Sequence, residues 1–335
     1  MYNSLECGVC DGEVISPAWF THECFTADPR NIWLTPPPNF APTKPLELSG
    51  MNKQFIKSPT AGVTLCRLWD KTHSSFKTYP VAFAASVGAS LGFRSFGIVS
   101  CGSAAWELMK WCRAASMDVE VWIPQPVSLS LETWGFKPRR IGATWSEAYK
   151  AFWIYCEQSR FYPLFPSGDP WFLSALRLQA REVLAQKYDY IILPCGSGVH
   201  ILAYLEEGLA LGSRSVIVGV QIAGNDPLVT AWKQGGNLQN WIPARSCVID
   251  SMWSQRPVNL LRIVRTAKSY RFCRFESVSE EDVHSTKDIW KPYLSMLRWQ
   301  PDESLYALIA AAVRSYLSLG QIVALSTAGE YIGSA

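Results

Sequence analysis

Residues 72–111 read THSSFKTYPVAFAASVGASLGFRSFGIVSCGSAAWELMKW, and one cation in them decides how the chain is understood. Lys77 stands at the front of an uncharged run, Thr78 to Phe93, and the small-residue turn Ser100-Cys101-Gly102-Ser103 follows the next apolar segment. A core helix gains nothing from such a lysine, because burying an ammonium without a partner is costly. A lysine desolvated by its neighbours does gain something: its pKa falls, and the neutral amine becomes a nucleophile toward carbonyl carbon. Taken alone, Lys77 also reads as a solvated helix-start lysine.

Working outward, Ser74 or Ser75 can cap a helix from Tyr79 to Leu91, with Pro80 in its first turn and Gly92 closing it. Val63–Trp69 and Phe96–Val99 read as strands, Ala104–Ala115 as a helix, and Val119–Ile123 as a strand stopped by Pro124. The second half has the same grammar. Helices are predicted over 173–186, 201–211 and 305–319. Strands are predicted over 188–194, 215–221 and 321–325, the last entering Ser326-Thr327-Ala328-Gly329. Strands alternating with helices imply an α/β fold of mostly parallel sheets with crossover helices, arranged as two lobes. The first stretch, to roughly residue 50, is rich in proline (Thr35-Pro36-Pro37-Pro38) and reads as irregular.

The chain has 335 residues, 48% hydrophobic and 18% charged, enough for a large core and too apolar for wholesale disorder. A net charge of +3 gives no footprint for nucleic acid or an anionic membrane. The longest uncharged run is short for a membrane span, and Met1–Glu6 lacks the pattern of a secretory signal, so a cytoplasmic protein is expected. Ten scattered cysteines in so long a chain read as reduced thiols. Cys7 and Cys10, with His22 and Cys24 beyond them, have the spacing of a Cys3His zinc site; non-ligating cysteines are the other reading, and no metal is expected.

Gly196-Ser197-Gly198-Val199-His200 lies between a predicted strand and a predicted helix. Helix N-terminal N–H groups and the helix dipole make such a turn an anion site, and glycine lets backbone approach a phosphate. It is neither a P-loop nor a dinucleotide fingerprint. A nucleophilic lysine, a small-residue turn and a single-phosphate turn have a joint explanation in pyridoxal 5′-phosphate (PLP). Its aldehyde requires a lysine, its phosphate a dipole-backed turn and its ring nitrogen a partner.

The order and spacing of these motifs resemble the fold type II (tryptophan synthase β-like) PLP enzymes, and within them threonine synthase. Ser74-Ser75-Phe76-Lys77 is similar to that family's G-S-F-K, and Ser100-Cys101-Gly102-Ser103-Ala104 to its S-T-G-N-T. Pro194-Cys195-Gly196-Ser197-Gly198-Val199-His200 resembles P-V-G-N-G-G-N. Gly219-Val220-Gln221 with Asp226-Pro227-Leu228-Val229 resembles G-V-Q…A-P-L-V, and Leu325-Ser326-Thr327-Ala328-Gly329 sits where L-T-G-H-G is expected. The resemblance spans about residues 55 to 330.

It implies a two-lobed architecture, each lobe a mostly parallel sheet flanked by helices. Expected boundaries are an N-terminal extension and start of the large domain over 1–60, a small domain with Lys77 and the Ser100–Ser103 turn over 61–150, and a large domain with the phosphate loop over 151–335. It implies that Lys77 binds the cofactor covalently and moves the substrate's α-proton, that the amides of Gly196, Ser197, Gly198, Val199 and His200 hold the phosphate, and that Ser103 faces the ring's O3′ side. Ser100, Cys101, Gly102 and Ser103 would hold the substrate carboxylate, and Ser326, or Thr327 beside it, the pyridine nitrogen. A hydroxyl there leaves that nitrogen largely neutral, which suits β- or γ-elimination or replacement on an amino acid more than transamination. A homodimer is also implied.

The chain departs from the pattern. Lys-Asp-Arg is here Lys77-Thr78-Tyr79, and asparagines are replaced by Ser103, Ser197 and His200. A diverged enzyme whose substrate need not be phosphorylated is expected. Cysteine synthase-like β-replacement with a sulfur or nitrogen nucleophile, and a catalytically degenerate paralogue serving as a binding or regulatory subunit, are the alternative readings.

Overall fold

The structure, a computed structural model, describes residues 5–7, 13–14, 34–35, 54–57, 62–68, 75–125, 137–236, 252, 257, 259–316 and 320–328. The chain divides into two compact units, Met1–Ser49 with Lys77–Ala175, and Gly50–Phe76 with Leu176–Ala335.

In the first unit, β1 (Leu5–Cys7), β2 (Glu13–Val14) and β3 (Leu34–Thr35) pair antiparallel in the order β2-β1-β3, where the proline-rich sequence predicts irregular chain. β4 (Gln54–Lys57) and β5 (Val63–Arg67) pass to the second unit. The main sheet of the first unit contains β6 (Ser95–Val99), β7 (Asp118–Ile123), β8 (Arg139–Arg140) and β9 (Tyr162–Leu164). Its order is β8-β7-β6-β9, and every pair is parallel. α1 (Thr78–Ser90) precedes β6, α2 (Ser103–Ala114) joins β6 to β7, and α3 (Trp145–Ser159) leads into β9.

α1 is apolar around most of its circumference, with Val81, Phe83, Ala84, Ala85 and Val87 buried, as expected of a helix covered on several sides. Its N-cap is Lys77, which supplies no side-chain cap. Of the two serines expected to cap it, Ser75 pairs through its backbone with Ala328, and Ser74 lies outside the described residues. α3 starts with a capping box. Glu147 N–H donates to Thr144 Oγ1 (3.2 Å) and Thr144 N–H donates to Glu147 Oε2 (3.3 Å). Its inner face places Ala148, Phe152 and Cys156 against Val99 and Trp122.

Asp169 begins α4 (Pro170–Leu184). Its Oδ1 accepts from Trp171 N–H (2.9 Å) and Phe172 N–H (3.1 Å), and its Oδ2 accepts from Tyr162 Oη–H (3.0 Å). Burial pushes its carboxyl up to about 7 in spite of these three donors.

The second unit holds a six-stranded sheet in the order β12-β11-β10-β13-β5-β4, parallel except for β4. Its later strands are β10 (Tyr190–Pro194), β11 (Val216–Ile222), β12 (Cys273–Val278) and β13 (Ile322–Ser326). The helices are α5 (Val199–Ala210), α6 (Pro227–Lys233), α7 (Leu260–Tyr270), α8 (Glu280–Met296) and α9 (Ser304–Ser315). β10, α5 and β11 form a βαβ crossover, the unit that the predicted alternation implies. α9 buries Ala307, Ala311 and Ala312 beside Leu305, Leu308 and Ile309, so a thin helix face lies close on Ile192, Val218 and Ala324.

Behind α5 a charge network ties three helices. Glu207, almost fully buried, accepts from Arg177 Nε (3.2 Å) and Arg181 Nε (2.6 Å), while Glu206 accepts from the buried Arg262 (2.5 Å). Two guanidinium partners compensate the cost of burying Glu207; removing either one leaves charge poorly matched.

Asp169 yields a pH prediction. In the unfolded chain its carboxyl titrates near its ordinary value of 3.8, and in the folded chain near 7. Between these values the folded state holds a proton that the unfolded state has lost. Asp169 therefore adds stability below about pH 4 that disappears as pH rises through about 7. Asp169→Asn keeps an oxygen for the two N–H groups and removes the titration. Urea midpoints measured from pH 4 to 8 should show a smaller decline with pH in the variant; identical pH profiles would refute the assignment.

Candidate functional site

In the second unit the C-terminal end of β13 is a meeting point. Leu68 N–H donates to the Ser326 carbonyl (2.9 Å), Phe76 N–H to the Thr327 carbonyl (2.7 Å) and Asp302 N–H to the Ala328 carbonyl (3.0 Å). Ser75 pairs with Ala328 in an antiparallel bridge. Backbone amides from the segments after β5 and before α9 thus close on three successive carbonyls. Ser326 and Thr327 are buried.

The Phe76 ring stacks on the His200 imidazole, with centroids 4.3 Å apart and planes 22° from parallel. Tyr204, one turn along α5, meets His200 edge-on at 5.2 Å. Phe76 therefore belongs to the end of β13 through its backbone and to the first turn of α5 through its ring. The next residue in the chain is Lys77.

β10 ends at Pro194, and the chain turns through Cys195, Gly196 and Ser197 into α5. Gly198 is the N-cap in the left-handed region (φ +82°), where an L side chain is strained. Its Cβ would also stand 2.4 Å from Ile263 Cδ1. The N-cap glycine supplies no side-chain cap to α5, and the first turn contains no acidic residue. A helix start of this kind suits an anion. Gly219 on β11 lets α5 sit close, since a Cβ there would lie 2.5 Å from Ile201 Cδ1 and 2.8 Å from Cys195 Sγ.

The backbone of His200 belongs to the first turn of α5, and its imidazole stacks on Phe76 and meets Tyr204 edge-on. Thr327 Oγ1 lies 3.4 Å from Ser304 Oγ, and Ser304 Oγ–H donates to Asp302 Oδ1 (2.6 Å). Gln221, wholly buried at the end of β11, donates from Nε2 to the Cys195 carbonyl (3.0 Å), and its Oε1 accepts from Leu228 N–H (2.8 Å) and Val229 N–H (3.2 Å). Sequence reasoning does not single out Phe76, Asp302 or Ser304 as site residues. It does single out the G-V-Q and D-P-L-V segments, and Gln221 shows why they occur together: its amide oxygen caps α6.

In the first unit, the turn after β6 is built by Ser100, whose Oγ accepts from Gly102 N–H (3.3 Å). Gly102 is the extended N-cap of α2, again with no side-chain cap among the described residues and no acid in the first turn, and Ser103 is the first helical residue. Cys101 is part-buried beside Tyr149, which donates to the Val99 carbonyl (3.1 Å). Burial, and then the neighbouring Cys101, push the Tyr149 phenol up. Lys77 is the N-cap residue of α1, whose first turn contains no acid.

Cys10, His22, Cys24, Gly329 and Glu330 lie outside the described residues, and of Cys7 only its place in β1 is described. No helix of the described residues is long and apolar enough to cross a membrane.

No protein-family model matches the chain, and no curated protein matches it. Solved structures do. A threonine deaminase from T.th. superposes with a TM-score of 0.64 at 18% identity, covering 82% of this chain and 90% of that one. Maize serine racemase gives 0.68 at 15% identity, covering 83% and 88%. A pyridoxal 5′-phosphate-dependent aspartate racemase gives 0.67 at 14%, covering 83% and 90%. The fold is the two-domain fold type II architecture of these enzymes. It agrees with the α/β reading of the sequence.

Gly198→Ala tests the turn. A left-handed alanine and a Cβ pressed on Ile263 should together cost about 2 kcal/mol of unfolding free energy. Ile263→Val removes the opposing Cδ1, so the double variant should recover part of the loss in a urea titration. No recovery would mean that backbone strain alone accounts for the cost.

Proposed function

We propose that the protein is a PLP-dependent enzyme that removes the α-proton of a small amino acid and expels a β- or γ-substituent, a threonine synthase-like reaction with a diverged substrate. One observation carries the reading. Phe76, the residue before Lys77, is held both by the β13 terminus and by the first turn of α5.

The residues fit the cofactor. The amides of Gly196 to His200 form a turn suited to a phosphate, with a left-handed glycine as the N-cap and no acid in the first turn of the helix. Lys77 is a lysine at a helix start, the residue type that PLP requires for covalent attachment. When bound, PLP supplies an electron sink that stabilises negative charge at the substrate's α-carbon. Everything else falls to the chain. Lys77 holds the cofactor covalently and carries the α-proton. The amides at the start of α2, shaped by Ser100, bind the substrate carboxylate, and Ser103 and Cys101 bound that turn.

Ser326 and Thr327 are both buried at the end of β13, and Thr327 Oγ1 lies 3.4 Å from Ser304 Oγ. Ser326, or Thr327 beside it, is the hydroxyl that would bond the pyridine nitrogen. A hydroxyl partner stabilises ring protonation less than a carboxylate does, which favours elimination over transamination.

The neighbours named for threonine deamination and for serine and aspartate racemisation support α-proton chemistry on small amino acids. A hydrogen sulfide-producing enzyme from Fusobacterium nucleatum is a further neighbour and keeps sulfur chemistry, as in cysteine synthase-like β-replacement, as the second reading.

The test is chemical. Protein incubated with PLP, reduced with borohydride and digested should carry the pyridoxyl group on the peptide containing Lys77, and Lys77→Ala should carry none. Label on another lysine, or a protein that never takes up the cofactor, would defeat the proposal. Visible spectra recorded against a panel of amino acids would then identify the substrate by which one perturbs the bound cofactor.

A further inference from the structure

We infer that Gln221 is the positioning residue of the phosphate turn: its amide fixes the Cys195–Gly198 backbone in the shape that binds a phosphate monoester. The inference rests on the PLP reading of that turn and adds a residue to it.

Gln221 ends a buried strand, its side chain has no exposed surface, and both ends of its amide are used. The oxygen accepts from the first two amides after Pro227, at Leu228 and Val229, and so fixes the start of α6. The nitrogen donates to the Cys195 carbonyl, the first peptide of the turn. Cys195 N–H is held in turn by the Val220 carbonyl (2.9 Å). The peptide groups on both sides of Cys195 are therefore fixed by β11, one through backbone and one through the Gln221 side chain.

Three residues later the chain must adopt the left-handed conformation at Gly198 and release the amides of α5 toward a ligand. A turn whose first carbonyl can swing reorients those amides. A turn pinned at Cys195 keeps them preorganised, so less ordering is required on binding. Gln221 lies behind the turn and acts on the ligand only through it.

Other amino acids do not reproduce this arrangement. Glutamate keeps an acceptor for the two α6 amides and can give Cys195 a hydrogen only while protonated, so its effect is read at a pH where it is ionised and sets two oxygens against each other. Methionine approximates the shape and supplies neither bond, leaving buried backbone groups short of partners.

The experiment compares PLP with pyridoxal, which has the same ring and aldehyde and lacks the phosphate, in wild type, Gln221→Glu and Gln221→Met. Equilibrium binding is followed by absorbance, inorganic phosphate serves as a competitor, and circular dichroism monitors folding. Both variants should bind PLP about tenfold more weakly, the loss of one buried hydrogen bond. Their affinity for pyridoxal should stay within about twofold of wild type on the same reasoning, because the ring and aldehyde do not depend on the turn. Phosphate should compete less well in both variants. PLP affinity unchanged in the folded variants, or PLP and pyridoxal weakened alike, would overturn the inference. A wild type that does not prefer PLP to pyridoxal would instead overturn the phosphate assignment of the turn itself.

Discussion

The hydrogen bond from Phe76 N–H to the Thr327 carbonyl is the constraint on which the candidate site depends. β5, β10, β11 and β13 run parallel, so their C-terminal ends share one edge of the sheet, the edge at which open α/β sheets bind ligands. The edge alone does not bring the loop after β5 to the loop after β13. The Phe76 bond does, assisted by the Ser75–Ala328 bridge. One buried backbone bond contributes about 1 kcal/mol net, and an aromatic pair about as much. Neither is large. Both act on one residue from two different elements, so Phe76 is fixed twice within the second unit.

Electrostatics sort the helix starts of this protein. α3 and α8 carry capping boxes, with Glu147 and Asp282 returning to the N-cap amide, and α8 adds Glu280 and Glu281. Asp169 holds α4 and Gln221 holds α6. The small-residue turns before α2 and α5 have glycine N-caps without a side-chain cap and no acid in the first turn. A helix start with its dipole uncompensated is less favourable for folding by a fraction of a kcal/mol, a deficit that a bound anion would offset.

Much of this is legible in the sequence because it depends on local rules. Periodicity and turn residues locate α1, β6, α2, β10, α5, β11, α9 and β13 within a few residues, since each is bounded by glycine, proline or a charge. α3 and α8 escape that reading despite their signals, Thr144-x-x-Glu147 and Ser279-x-x-Asp282, because their apolar faces are interrupted by polar residues. The backbone bridge of Ser75 to Ala328, more than two hundred residues away, is hidden from the sequence, because local propensity is silent about such a partner. The roles of Phe76 and His200 are equally hidden. A phenylalanine before a lysine and a histidine at a helix start are ordinary separately, and only the fold shows that they stack.

That stack bears on what the substitutions of the phosphate turn mean. A histidine at position 200 in place of an amide side chain looks, in sequence, like the loss of a ligand. In the structure its imidazole is occupied by Phe76 on one face and meets Tyr204 edge-on, while its backbone remains in the first turn of α5. The backbone amides that define a phosphate turn belong to every residue type except proline, so replacing side chains there leaves the anion site intact and changes what supports it. The turn after β6 follows the same logic: Ser103 differs from the family residue, yet Ser100 still shapes the backbone through Gly102. The backbone at both turns is thus held by devices that do not depend on the side chains at 103 and 200. Gly198 is required by its own left-handed φ and by the packing of Ile263 against it, whatever the turn binds.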